Sequence, residues 1–103
     1  MQTTITKTPG GTTVHLAGRL DTPASLEVSK ELEPVIQNAT GEIVLECSEL
    51  EYISSSGLRI FLTLRKAAAS KGGKVIVKNI SKEIRQVFMI TGFLSLFEIQ
   101  GDE

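Results

Sequence analysis

The chain has 103 residues, 41% of them hydrophobic and 22% charged, which fits one globular domain with a modest core and leaves no room for two. A net charge of −1 without a basic stretch argues against a nucleic-acid partner, and no apolar run approaches the roughly 20 residues of a membrane-spanning helix. The start Met1-Gln2-Thr3-Thr4 lacks the basic-then-apolar order of a signal peptide, and the single cysteine, Cys47, has no partner for an internal disulfide, so a cytoplasmic protein off the membrane is expected.

Residues 3–7 are expected to pair with a strand over 12–18 across the turn Pro9-Gly10-Gly11. In the second strand Val14, Leu16 and Gly18 alternate with Thr13, His15 and Ala17, a period of two. After Asp21 the period lengthens: Val28, Leu32, Val35, Ile36 and Ala39 share one helical face, with Thr22 as N-cap and Pro23 as first helical residue. Pro34 removes a hydrogen bond within that stretch and sets its ring against the Lys30 carbonyl, so the helix is expected to kink there or break in two. Ile43-Val44-Leu45, between Gly41 and Glu46, reads as a strand buried on both faces and ending near Cys47, and Val75-Ile76-Val77 after Gly72-Gly73 reads the same way. Between them Leu58, Phe61, Leu62, Leu64 and Ala68 make the apolar stripe of a helix that begins near Ser55 or Ser56 and stops at Gly72. A further helix from about Ser81 uses Ile84, Val87 and Phe88 and stops at Gly92. Leu96-Phe97-Glu98-Ile99 forms a last short strand, with residues 100–103 frayed. The predicted order is β-β-α-β-α-β-α-β: an α/β domain with a mixed, mostly parallel central sheet, an N-terminal hairpin, and its sites at the carboxyl ends of the parallel strands.

The chemistry such a chain can carry is narrow. One histidine, His15, and one cysteine cannot build a metal site of ordinary spacing, and His15 lies in a strand away from the serines, as a half-exposed sheet residue. Cys47 reads as a packed small hydrophobe. Two aspartates, Asp21 and Asp102, are too few for an acidic magnesium pocket, and the glycines show no phosphate-binding loop, so neither a metal nor a cofactor is expected. What remains is Leu50-Glu51-Tyr52-Ile53-Ser54-Ser55-Ser56-Gly57-Leu58, where a strand hands over to a helix. One serine suffices for an N-cap; three in a row exceed that need, although such runs also occur in ordinary loops. A hydroxyl at that position can accept a phosphate without harm to the helix, because the unpaired N–H groups and positive dipole end favour an anion. Arg59, four residues after Ser55, either awaits that anion or is simply solvated.

These residues resemble the STAS family, whose signature Asp-Ser-Ser/Thr-Gly-Leu stands here as Ser54-Ser55-Ser56-Gly57-Leu58. A second family element stands as Leu16-Ala17-Gly18-Arg19-Leu20-Asp21, and the stretch from Val75 through Val87-Phe88 and Thr91-Gly92 to Leu96-Phe97 is similar too. The resemblance spans almost the whole of residues 1–103 and implies a stand-alone anti-sigma factor antagonist: a binding switch, not an enzyme. It implies that the unphosphorylated form binds an anti-sigma factor that is also a serine kinase, that the kinase phosphorylates Ser55, and that a PP2C-type phosphatase restores the active form. Ser54, Ser56, Gly57, Asp21, Thr22 and Arg59 are then the expected partner-binding residues, with Asp21 alternatively a turn residue beside the helix cap. Ser54 replaces the motif aspartate, and a final helix found in many relatives is expected to be absent or vestigial. The competing expectation is a scaffold or assembly module of the same fold that is never phosphorylated. Neighbouring genes for a kinase and a phosphatase favour the switch; a transporter or polysaccharide locus favours the module.

Overall fold

The computed structural model describes residues 1–38 and 40–101. Strand β1 (Gln2–Thr8) turns through Pro9 and Gly10 into β2 (Gly11–Leu20), and the two pair antiparallel from Thr8 opposite Gly11 to Gln2 opposite Ala17. Then come α1 (Thr22–Glu31), α2 (Glu33–Asn38), β3 (Glu42–Ile53), α3 (Ser55–Ser70), β4 (Lys74–Lys78), α4 (Lys82–Thr91), a 3₁₀ turn at Phe93–Ser95, and β5 (Glu98–Gln100). The sheet runs β1-β2-β3-β4-β5, and every pair after the hairpin is parallel. The predicted class and order are met.

Pro34 resolves the first helical stretch into two. Leu32 ends α1 and is fully buried, while Pro34 sits in the first turn of α2, where a missing N–H costs nothing. Ala39, expected on the same face, lies outside the described residues, as do Asp102 and Glu103. The cap of α1 is Asp21 rather than Thr22. Helix α4 follows expectation, from its Ser81 cap to Gly92 in the left-handed region at φ 81, which glycine adopts freely. The last strand starts two residues later than expected, because Phe93–Ser95 coil into a 3₁₀ turn that drops Phe97 into the core. Gln100 belongs to β5 rather than to a frayed tail, and its carbonyl accepts from Asn79 N at 2.9 Å.

One core holds the molecule. Val14, Leu16, Ile43, Leu45, Cys47, Val75 and Val77 project from one sheet face against Val28, Val35, Phe61, Leu64, Ile84 and Phe88 of the helices. The other face carries no helix. Val44 is therefore only half-buried, a departure from the two-sided burial predicted for Ile43-Val44-Leu45. Ile76 is buried there because the register sets it between Val44 and Glu98, with the long Lys74 and Lys78 side chains on either side. His15 projects from this open face, with Nε2 2.9 Å from Glu49 Oε1.

Cys47 behaves as the packed hydrophobe expected of it. Burial, reinforced by the neighbouring Glu46 carboxylate, pushes its pKa up to about 12. The folded protein is therefore expected to resist Ellman's reagent at pH 8 and to react once unfolded in urea. The unfolded chain releases the thiol proton from about pH 9 and the folded chain only near 12, so stability falls as the pH rises through that window. Fast labelling of the native thiol would contradict this.

Candidate functional site

The site is built where β2 and β3 end. They are neighbouring parallel strands with Leu20 opposite Ile53, so the residues that follow, Asp21 and Ser54, lie side by side. Ser54 N donates to Leu20 O at 2.9 Å and locks the two strand ends together. From here α1 and α3 start in parallel.

Each helix is capped by the first residue past its strand. Asp21 Oδ1 accepts from Ala24 N at 3.0 Å, and Ser25 Oγ donates to Asp21 O at 2.8 Å. Ser54 Oγ accepts from Gly57 N at 3.2 Å. The cap of α3 is thus Ser54, not Ser55. Ser54 is only 9% exposed, whereas Ser55, the first helical residue, is exposed and freed from capping; Ser56 is half-buried. Ser54 also does what an aspartate at this position would do, since the two cap about equally well. Ser54→Ala is expected to cost about 1 kcal/mol and lower the melting temperature by roughly 4–8 °C, while Ser54→Asp stays near wild type. Thermal unfolding followed by circular dichroism measures both.

Gly57 has a packing role. A Cβ there would lie 2.8 Å from Leu20 Cγ and 2.9 Å from Ile53 Cγ1, inside contact distance of two buried side chains. Its lack of a side chain lets α3 sit directly on the end of β2, which binds the serine motif to the Leu16–Asp21 motif. Of the residues expected to meet a partner, Gly57 and Ser54 are thus interior. Thr22, Ser55 and Arg59 are exposed, and Asp21 and Ser56 are half-buried.

Arg59 lies one turn along α3 from Ser55, on the same side of the helix. No carboxylate pairs with its guanidinium among the described residues. Between the two helices runs a shallow groove of about 260 Å³, with walls of Thr22, Leu26 and Ser29 from α1 and Ser56, Arg59 and Thr63 from α3, above Ser25 and Ile60. Leu26, 68% exposed, has no place in the sequence-based expectation. Its signal is legible in retrospect: it falls out of phase with the buried Ser25, Val28 and Leu32. Arg19 stacks over the Tyr52 ring, 4.4 Å from its centroid, a pair made by strand register that no local motif announces. No group of three or more metal-ligating side chains occurs among the described residues.

This architecture is that of SpoIIAA, an anti-sigma factor antagonist. The unphosphorylated form superposes with a TM-score of 0.82 at 22% identity, covering 99% of this chain and 88% of that one. The phosphorylated form of the Bacillus protein gives 0.75 at 23% identity, covering 99% and 91%. At such identities the likeness establishes the fold. A STAS-domain family model matches residues 2–103. The chain belongs to the STAS domain family. Among relatives of this STAS domain, BtrV of Bordetella bronchiseptica, a candidate anti-sigma factor antagonist, is 30% identical over 99 residues, 96% of this chain and 85% of that protein. The anti-sigma-B factor antagonist of Staphylococcus aureus is 29% identical over 91 residues, 87% of this chain and 84% of that protein. No helix among the described residues is long and apolar enough to cross a membrane.

Proposed function

We propose that this STAS domain is a cytoplasmic anti-sigma factor antagonist that acts by binding, and that phosphorylation of Ser55 switches it off. The observation that carries the reading is the position of Ser55: exposed at the first position of α3, one residue beyond a separate cap, with Arg59 one turn away. The functions named for BtrV and the Staphylococcus aureus protein support the partner class. In the unphosphorylated state the α1–α3 end binds an anti-sigma factor that is also a serine kinase, and the sigma factor is released. The kinase then transfers the γ-phosphoryl group of ATP to Ser55 Oγ, ADP leaves, and the added charge of about −1.5 to −2 separates the complex. A PP2C-type phosphatase hydrolyses the ester and resets the switch. The fold survives the modification because the phosphate sits at the favourable end of the helix dipole.

The second reading, a scaffold module that is never phosphorylated, is favoured by Ser54, which stands where the family motif has an aspartate directly before the acceptor serine. One experiment decides. After incubation with the cognate kinase and ATP, intact-mass and peptide spectrometry is expected to find a single phosphate on Ser55. Stable binding with no phosphate on Ser54, Ser55 or Ser56 establishes the module instead.

A further inference from the structure

We propose that the α1–α3 groove receives from the partner one apolar side chain, seated against Leu26 and Ile60, next to an aspartate or glutamate that pairs with Arg59. The inference rests on the antagonist function proposed above and names the chemistry its partner must present. Leu26 is an exposed leucine on the wall of a concavity, where a docking apolar side chain would remove it from water. The hydroxyls of Thr22, Ser29 and Ser56 ring it with groups that donate or accept as needed, and that of Thr63, which donates to Arg59 O at 3.0 Å, can still accept.

Charge selects the occupant. Arg59 is the only charged side chain lining the groove, and no carboxylate answers it among the described residues. As the fifth residue of α3, just past its first turn, it still stands near the positive end of the helix dipole, a mildly unfavourable place for a cation. An acid supplied by the partner relieves that repulsion, while a basic segment adds to it.

The same guanidinium lies within one turn of Ser55. A phosphate on Ser55 therefore competes with the partner from inside the molecule. It draws Arg59 into a charge-assisted pair and puts negative charge where the partner's carboxylate docks. Lost attraction and new repulsion act in the same direction, so one phosphate produces a large change in affinity.

The test uses the kinase that phosphorylates Ser55 as probe, with photoreactive benzoylphenylalanine in place of Leu26. The cross-link is expected to map to an apolar residue within two positions of an aspartate or glutamate. Arg59→Glu is expected to weaken binding about 30-fold and Arg59→Lys less than about 5-fold. The unchanged melting temperature of both variants would place the effect in the interface. Cross-linking to a basic segment or to a second copy of this chain, or wild-type binding by Arg59→Glu, overturns the inference. Phosphate on Ser55 together with charge-insensitive binding removes this inference alone. No kinase binding and no phosphate removes the proposed function and this inference together.

Discussion

Ser55→Asp is expected to lower affinity for the anti-sigma kinase about 100-fold, equivalent to about 2.7 kcal/mol, while Ser55→Ala binds within about threefold of wild type and cannot be switched off. The asymmetry follows from where the side chain sits. Ser55 is exposed and does not cap α3, so removing its hydroxyl breaks no intramolecular bond. A carboxylate there has no effect on the interior, but a partner that closes over it must strip its water and leave it unpaired, or draw Arg59 away from the interface. The fold should register the change in the opposite sense. An acid at the first helical position gains about 0.3–1 kcal/mol from the dipole, so the melting temperature of Ser55→Asp should hold or rise slightly. Calorimetric titration against the kinase, paired with thermal unfolding, separates the two effects. Equal affinities for wild type and Ser55→Asp would reject control at this hydroxyl.

The largest effect on the fold is expected from Phe61→Ala. Phe61 is fully buried on α3 and meets Phe88 edge-on at 5.8 Å and Phe97 at 6.2 Å. These contacts hold α3 against α4 and the start of β5 and so position the whole helix that presents Ser55. Truncation loses the ring's transfer energy and leaves a cavity in a close-packed core, at a cost of about 3–5 kcal/mol. A domain of this size has about 5–15 kcal/mol to lose, and each kcal/mol moves its melting temperature by roughly 4–8 °C. A drop of roughly 15–30 °C is therefore expected by scanning calorimetry. Phe93→Ala is the control: Phe93 is half-buried at the edge of the same cluster and should cost clearly less. A drop below about 5 °C for Phe61→Ala would show that the ring cluster is not the keystone of the helical layer.

The connection from strand β3 to helix α3 illustrates how far local pattern reaches. Period-two alternation marks Ile43, Leu45 and Cys47, after which the buried positions become Cys47, Leu50 and Ile53, three apart. The cause is a pair of register shifts against β2, between His15 and Ala17 and between Gly18 and Arg19, each adding a residue to β3. Read locally, the alternation stops at Cys47, where the sequence leads one to expect the strand to end. The strand in fact runs to Ile53 and delivers Ser54 directly to the helix. The same geometry moved the caps. Serines 54, 55 and 56 all satisfy the chemistry of an N-cap, and only the position of the strand end selects the first of them.

Features that depend on neighbours along the chain were readable from residue order: the hairpin turn at Pro9-Gly10, an interruption at Pro34, the helix stop at Gly92, the apolar stripes and the order of elements. These are settled by backbone sterics and by periodicity, both readable within a few residues. Tertiary structure alone decided which residues from distant segments meet: Gly57 on Leu20, Arg19 on Tyr52, and Leu26 facing Arg59 across a groove. Those meetings are fixed by strand register and helix packing, and the residues involved carry no mark of one another in the one-dimensional pattern.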